Sequence, residues 1–89
     1  MIGYDEVMLT PALSRAARGL LNWSQEQLAE AAHLGLSTIR DFERGRRTPS
    51  HNNLAGIARA FEAAGIEFIP ENGGGAGLRM RKPAEAGKE

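Results

Sequence analysis

The stretch from Ser24 to Gly45 constrains this chain more than any other part of it. Two short helical patterns lie on either side of a tight turn. Ser24 followed by Gln27 makes a capping box, in which each residue satisfies a backbone N–H of the other. Trp23 and Leu28 stand at the two staple positions around that cap. Leu28, Ala29 and Ala32 then share one face, and the small alanines let a neighbouring helix approach closely. The second pattern runs roughly from Leu36 to Arg44, turns Ile39 and Phe42 inward, and stops at Gly45. A basic loop, Arg44-Gly45-Arg46-Arg47, follows at once. The rest of the chain reads as support for this pair of helices or as a means of pairing two copies of it.

Upstream, residues 1–9 show no clear period and are expected to be an N-terminal arm. Thr10-Pro11 is a helix start: threonine caps the free N–H groups, and proline at the first helical position gives up no bond. Leu13, Ala16, Ala17 and Leu20 recur at helical spacing and predict the apolar stripe of a first helix, with Asn22 as a left-handed stop. Downstream, Thr48-Pro49-Ser50 is a turn with Ser50 capping a fourth helix. Leu54, Ile57, Ala58 and Phe61 form its stripe and Gly65 ends it. Ile66 is expected to pack back on Phe61. Ile66-Glu67-Phe68-Ile69 and Leu78-Arg79-Met80-Arg81 read as strands around a turn-rich Asn72-Gly73-Gly74-Gly75 segment. Two strands alone are marginal in water, so residues 66–82 are a candidate dimerisation element, and residues 83–89 a flexible tail.

An 89-residue chain has room for one small domain plus a tail. It has no cysteine, hence no disulfide framework and no thiolate metal site. The expectation is a cytoplasmic protein with no membrane partner, no signal peptide, no metal and no cofactor. The histidines, His33 and His51, lack ligand spacing, and Asn72 to Gly77 lacks the lysine and hydroxyl of a phosphate-binding loop. No catalytic residues are assigned. The formal net charge is zero, yet Arg40, Arg44, Arg46, Arg47 and Arg59 against Asp41 and Glu43 leave the segment from Gly35 to Arg59 at +3. A local basic patch on a neutral chain fits selective docking on nucleic acid.

In a helix-turn-helix, the second helix of the motif enters the major groove by its N-terminal half. Arg40 is the leading base reader, because arginine grips guanine through two parallel bonds. Leu36 and Ser37 precede it on the same outward face. Asp41 and Arg44 complete the candidate base-contacting set. Phosphate contacts are expected from the start of the preceding helix at Ser24 and Gln25, whose free N–H groups attract an anion. Thr38, the loop residues Arg46, Arg47 and Thr48, and the start of the fourth helix at His51 and Asn52 complete that set.

These residues carry a resemblance to a family. Thr10 to Gly65 is similar to the Cro/C1-type (XRE) helix-turn-helix domain of phage repressors and bacterial regulators. The likeness rests on Trp23-Ser24-Gln25-Glu26-Gln27-Leu28-Ala29, Thr38-Ile39, Phe42-Glu43-Arg44-Gly45, Thr48-Pro49 and the Leu54/Ile57/Phe61 helix. It implies a mainly α, lambda-repressor-like bundle of four to five helices, here followed by short C-terminal strands or a hairpin. It places Gln25 at the phosphate-contacting position that opens the motif, and Leu36, Ser37, Arg40 and Asp41 on base-reading positions. It further implies a buried salt bridge between Arg18 and Glu43. The chain departs from the family at the turn. His33 stands where glycine is usual and must accept a left-handed backbone, which histidine visits occasionally. Gly35 stands where serine or threonine usually caps the third helix.

The expected function is sequence-specific binding of double-stranded DNA as a homodimer, regulating transcription and more in keeping with repression than activation. Two alternatives accompany it. One is the antitoxin half of a toxin–antitoxin pair, with a toxin protein as second partner. The other is a protein-interaction module that keeps the fold and has lost DNA binding.

Overall fold

The computed structural model describes residues 9–81, so the expected tail at 83–89 and all but the last residue of the expected N-terminal arm lie outside the described residues. The order of elements is α1 (Pro11–Leu21), α2 (Gln25–Ala32), α3 (Leu36–Glu43), α4 (His51–Ala63), β1 (Ile66–Ile69) and β2 (Gly77–Met80). The four- to five-helix expectation resolves to four helices among the described residues.

Local chemistry sets most of these boundaries. The side chains of Thr10, Ser24 and Ser50 accept from the backbone N–H groups of Leu13, Gln27 and Asn53. Each ties down one of the orphan donors that open a helix. The Ser24–Gln27 box is closed in both directions, since Gln27 Oε1 takes the Ser24 N–H at 2.8 Å. At the other ends, Asn22 and His33 are left-handed, with φ of 59° and 58°. In each case the next residue's N–H reaches five residues back, Trp23 to Arg18 and Leu34 to Ala29, both at 2.9 Å. This closes the helix in a Schellman turn. Gly45 performs the same service after α3 with φ of 76°. Helix α3 itself ends at Glu43, one residue before the expected Arg44.

The core is built from Leu9, Ala17, Leu28, Ala29, Ile39, Phe42, Ile57, Ala58, Ala60, Phe61 and Ile66. Burial of Leu28, Ile39, Ile57 and Phe61 agrees with the expected inward faces of α2, α3 and α4. The face of α1 is corrected. Ala16 is exposed and Leu20 is 50% exposed, while Ser14 and Ala17 are buried and Leu13 and Leu21 pack against the core. The helix is turned so that Ser14 and Arg18, not Leu20, look toward α3.

β1 and β2 form an antiparallel hairpin in the register Ile66↔Met80, Glu67↔Arg79, Phe68↔Leu78 and Ile69↔Gly77. The hairpin lies against α1 and α4. Ile66 is fully buried directly after the helix stop at Gly65, in the same core as Phe61. Phe61 stacks on Trp23 at a centroid distance of 5.9 Å and meets Phe68 edge-on at 6.3 Å. One ring thus links the start of α2, the end of α4 and the hairpin. On the outer face, Arg79 donates to both carboxylate oxygens of Glu67 at 3.3 and 3.2 Å. Arg81 donates from its side chain to the Glu62 carbonyl at 2.9 Å.

Candidate nucleic-acid interface

The inward face of α3 is held by Ile39 and Phe42, which leaves its opposite face to solvent. Ser37, Arg40 and Arg44 are exposed there; Leu36, Thr38 and Asp41 are half-buried. Gly35, the cap residue of α3, has no side chain with which to accept from the free N–H groups of the opening turn. The turn into α3 keeps its register because His33 takes the left-handed conformation that a glycine would take.

Asp41 contributes through its backbone. Its carbonyl accepts from the N–H of Arg46 at 2.9 Å and of Arg47 at 3.4 Å. Together with the left-handed Gly45, these bonds fold the basic loop back under α3. Arg44, Arg46, Arg47 and Thr48 are all exposed, and so are His51 and Asn52 at the start of α4. Three guanidinium groups therefore lie within four residues of the end of α3.

At the start of α2 the structure sharpens the expectation. The Ser24 hydroxyl and N–H are both engaged with Gln27. The open N–H groups of this helix end belong to Gln25 and Glu26. The Gln25 side chain turns toward α3 and donates from Nε2 to Glu43 Oε1 at 3.1 Å. One N–H of that amide remains, since a side-chain amide carries two.

Glu43 is the hub of the interior polar contacts. It is only 4% exposed. Its Oε1 pairs with Arg18 Nη2 at 2.8 Å, and Arg18 Nε lies 3.2 and 3.1 Å from its two oxygens. The hydroxyl of Ser14 donates to Oε2. Arg18 also donates from Nη1 to the Trp23 carbonyl at 3.1 Å, which ties the pair to the entrance of α2. Burial pushes the carboxyl pKa up, but the bonds from Arg18, Ser14 and Gln25 outweigh it and hold the group below its ordinary value. Glu43, which by sequence alone opposes a DNA-facing charge, is consumed internally. It fastens α1, α2 and α3 to one another.

Two participants were not picked out from the sequence. Ser14 sits one turn before Arg18 on the same face of α1, and that polar pair beside Ala17 was the available signal. Arg15, though exposed, donates from Nη1 to the Glu43 main-chain carbonyl at 2.7 Å and caps the last turn of α3. Among the described residues, no group of three or more His, Cys, Asp or Glu side chains is arranged to hold a metal ion. Nor is any helix among them long and apolar enough to cross a membrane.

Two short helices crossing at a tight turn, the second presenting an exposed polar face that runs into a basic loop, define a DNA-binding helix-turn-helix protein. A family model described as helix-turn-helix matches residues 15–67, more than half of the chain. The protein belongs to that family, of Cro/C1 (XRE) type, whose members are DNA-binding regulators. A search of the curated proteins found no match.

Proposed function

We propose that the protein binds a specific double-stranded DNA sequence as a homodimer in the cytoplasm and represses transcription from it. The observation that carries this reading is the division of α3. Its inward face is fixed by Ile39 and Phe42, while Ser37, Arg40 and Arg44 stand in solvent beside the loop arginines. In this reading Arg40 reads a base edge, with Leu36, Ser37, Asp41 and Arg44 around it. Gln25, Thr38, Arg46, Arg47, Thr48, His51 and Asn52 hold the phosphates, joined by Ser24 as the cap of α2.

Dimerisation is supported by the hairpin. Among the described residues the sheet has two strands, and each has one edge without a strand partner. Met80 on β2 is 45% exposed and Leu20 on α1 50% exposed, the two large apolar side chains most open to water among the described residues. A second copy covering them brings two motifs to successive major grooves, roughly 34 Å apart. Repression follows from occupancy of an operator, which needs no further surface.

The test is selection of bound duplexes from a random pool, with sedimentation of the free protein alongside. The expected result is an enriched inverted repeat with half-sites one helical turn apart and a dimer that Met80→Glu weakens. Failure to enrich any sequence, with retention that does not fall as salt rises, would sink it.

A further inference from the structure

We propose that Arg15, on α1 and outside the helix-turn-helix segment, is a phosphate-contacting residue of the DNA interface. The proposal rests on the DNA-binding reading above and adds a contact from a different helix. Arg15 is exposed, yet its guanidinium is not loose: Nη1 is fixed to the Glu43 main-chain carbonyl at 2.7 Å. A guanidinium carries five N–H donors in a rigid fork, so anchoring one leaves others to meet a second partner. The anchor residue immediately precedes Arg44, and through its side chain it also holds Gln25, the first residue of α2. Arg15 and Gln25 are thereby tied to the same residue, at the point where α3 runs into the basic loop.

The local charge supports the same role. The carboxylate nearest Arg15 along this anchor, that of Glu43, is already engaged by Arg18, Ser14 and Gln25. Among the described residues, the Arg15 guanidinium has no carboxylate partner in hydrogen-bonding range. A positive charge held beside a basic loop is unfavourable without an anion to answer it. A DNA phosphate, bound bidentately, is the anion whose geometry fits the fork.

The experiment measures binding of a labelled random-sequence duplex to the full chain over a range of salt, for wild type, Arg15→Gln and Arg15→Lys. Glutamine removes the charge and keeps a polar side chain; lysine keeps the charge. Thermal melts establish that all three fold. The expected result is that Arg15→Gln lowers the slope of log K against log salt by about 0.9, the value for one phosphate, and that Arg15→Lys retains the wild-type slope. An Arg15→Gln slope equal to wild type would overturn the proposal and leave Arg15 as a helix cap only. A wild-type chain that binds no duplex at any salt overturns the DNA-binding reading itself, and the proposal with it.

Discussion

The carboxylate of Glu43, the last residue of α3, accepts a 3.1 Å hydrogen bond from the side-chain amide of Gln25, the first residue of α2. This bond joins the end of the helix argued to enter the groove to the start of the helix argued to sit on the backbone. Arg18 and Ser14 complete the grip from α1. The angle between the two helices of the motif is therefore set by a buried charge as well as by Leu28, Ala29 and Ile39 packing. Any substitution at Glu43 disturbs both.

A buried ion pair is strongly destabilising when one partner is removed, and often close to neutral when both are replaced by apolar groups. Glu43→Ala strands the Arg18 guanidinium and leaves the Ser14 hydroxyl and Gln25 amide without their acceptor. Because the Arg18 side chain retains 19% exposure, the lower end of the usual range applies, about 3 kcal/mol. The double variant Arg18→Met/Glu43→Leu is expected to lose less. Urea unfolding followed by the single tryptophan, Trp23, reports both, since its ring stacks on Phe61. A double variant no more stable than Glu43→Ala would show that the network acts by something other than charge compensation.

The same carboxylate sets an acid limit on the fold. Its folded-state pKa lies below the ordinary 4.5, so the unfolded chain takes up a proton first as pH falls. The stability it contributes is complete above 4.5 and is lost progressively as pH descends through the folded value. Glu67 acts in the same direction through its bond to Arg79, but that ion pair lies at the surface, where solvent screens it. Unfolding midpoints are expected to be flat from neutral pH down to mildly acid conditions and to fall steeply below 4.5. Glu43→Gln should flatten that fall markedly, and Glu67→Gln only slightly. The reverse ranking would relocate the acid sensitivity to the hairpin.

Much of this fold was legible because its punctuation is local. Thr10, Ser24 with Gln27, and Ser50 start helices by bonds that span three residues, and Asn22, Gly45 and Gly65 end them through their own backbone angles. The hairpin, too, announced itself by alternation around a glycine-rich turn. The orientation of α1 was not legible. Leu20 and Leu21 are adjacent, and either could head an apolar stripe. The choice is made by the need to bring Ser14 and Arg18 to Glu43, 29 and 25 residues away in the chain. No local pattern carries that information. For the interface, the outward set on α3 followed from the periodicity of Ile39 and Phe42. Arg15 could not be found that way, since its anchor is a main-chain carbonyl on another helix.

His33 offers a test of the turn. At φ of 58° a residue with a Cβ pays a conformational penalty of about 1 kcal/mol that glycine avoids. Glycine in turn loses more freedom on folding. His33→Gly is therefore expected to leave stability unchanged or raise it by up to about 0.5 kcal/mol, whereas His33→Val should lower it by more than about 1 kcal/mol. Chemical denaturation of the two variants checks the pair. A valine variant as stable as wild type would mean that the turn adopts a different backbone in solution.

The division of labour between α3 and its loop gives the last expectation. Arg40 is exposed on the outward face of the helix, whereas Arg47 is held by its backbone N–H to the Asp41 carbonyl and projects from the loop. A base-edge contact discriminates between sequences, and a phosphate contact does not. Arg40→Ala should cost about 1–3 kcal/mol on the selected duplex and much less on a random one, narrowing the ratio between them. Arg47→Ala should weaken both duplexes alike and lower the salt slope by about 1. Paired titrations of each variant against the two duplexes at several salt concentrations separate these outcomes. If Arg47→Ala narrows the ratio as much as Arg40→Ala, the loop takes part in reading the sequence, and the base-reading surface extends beyond α3.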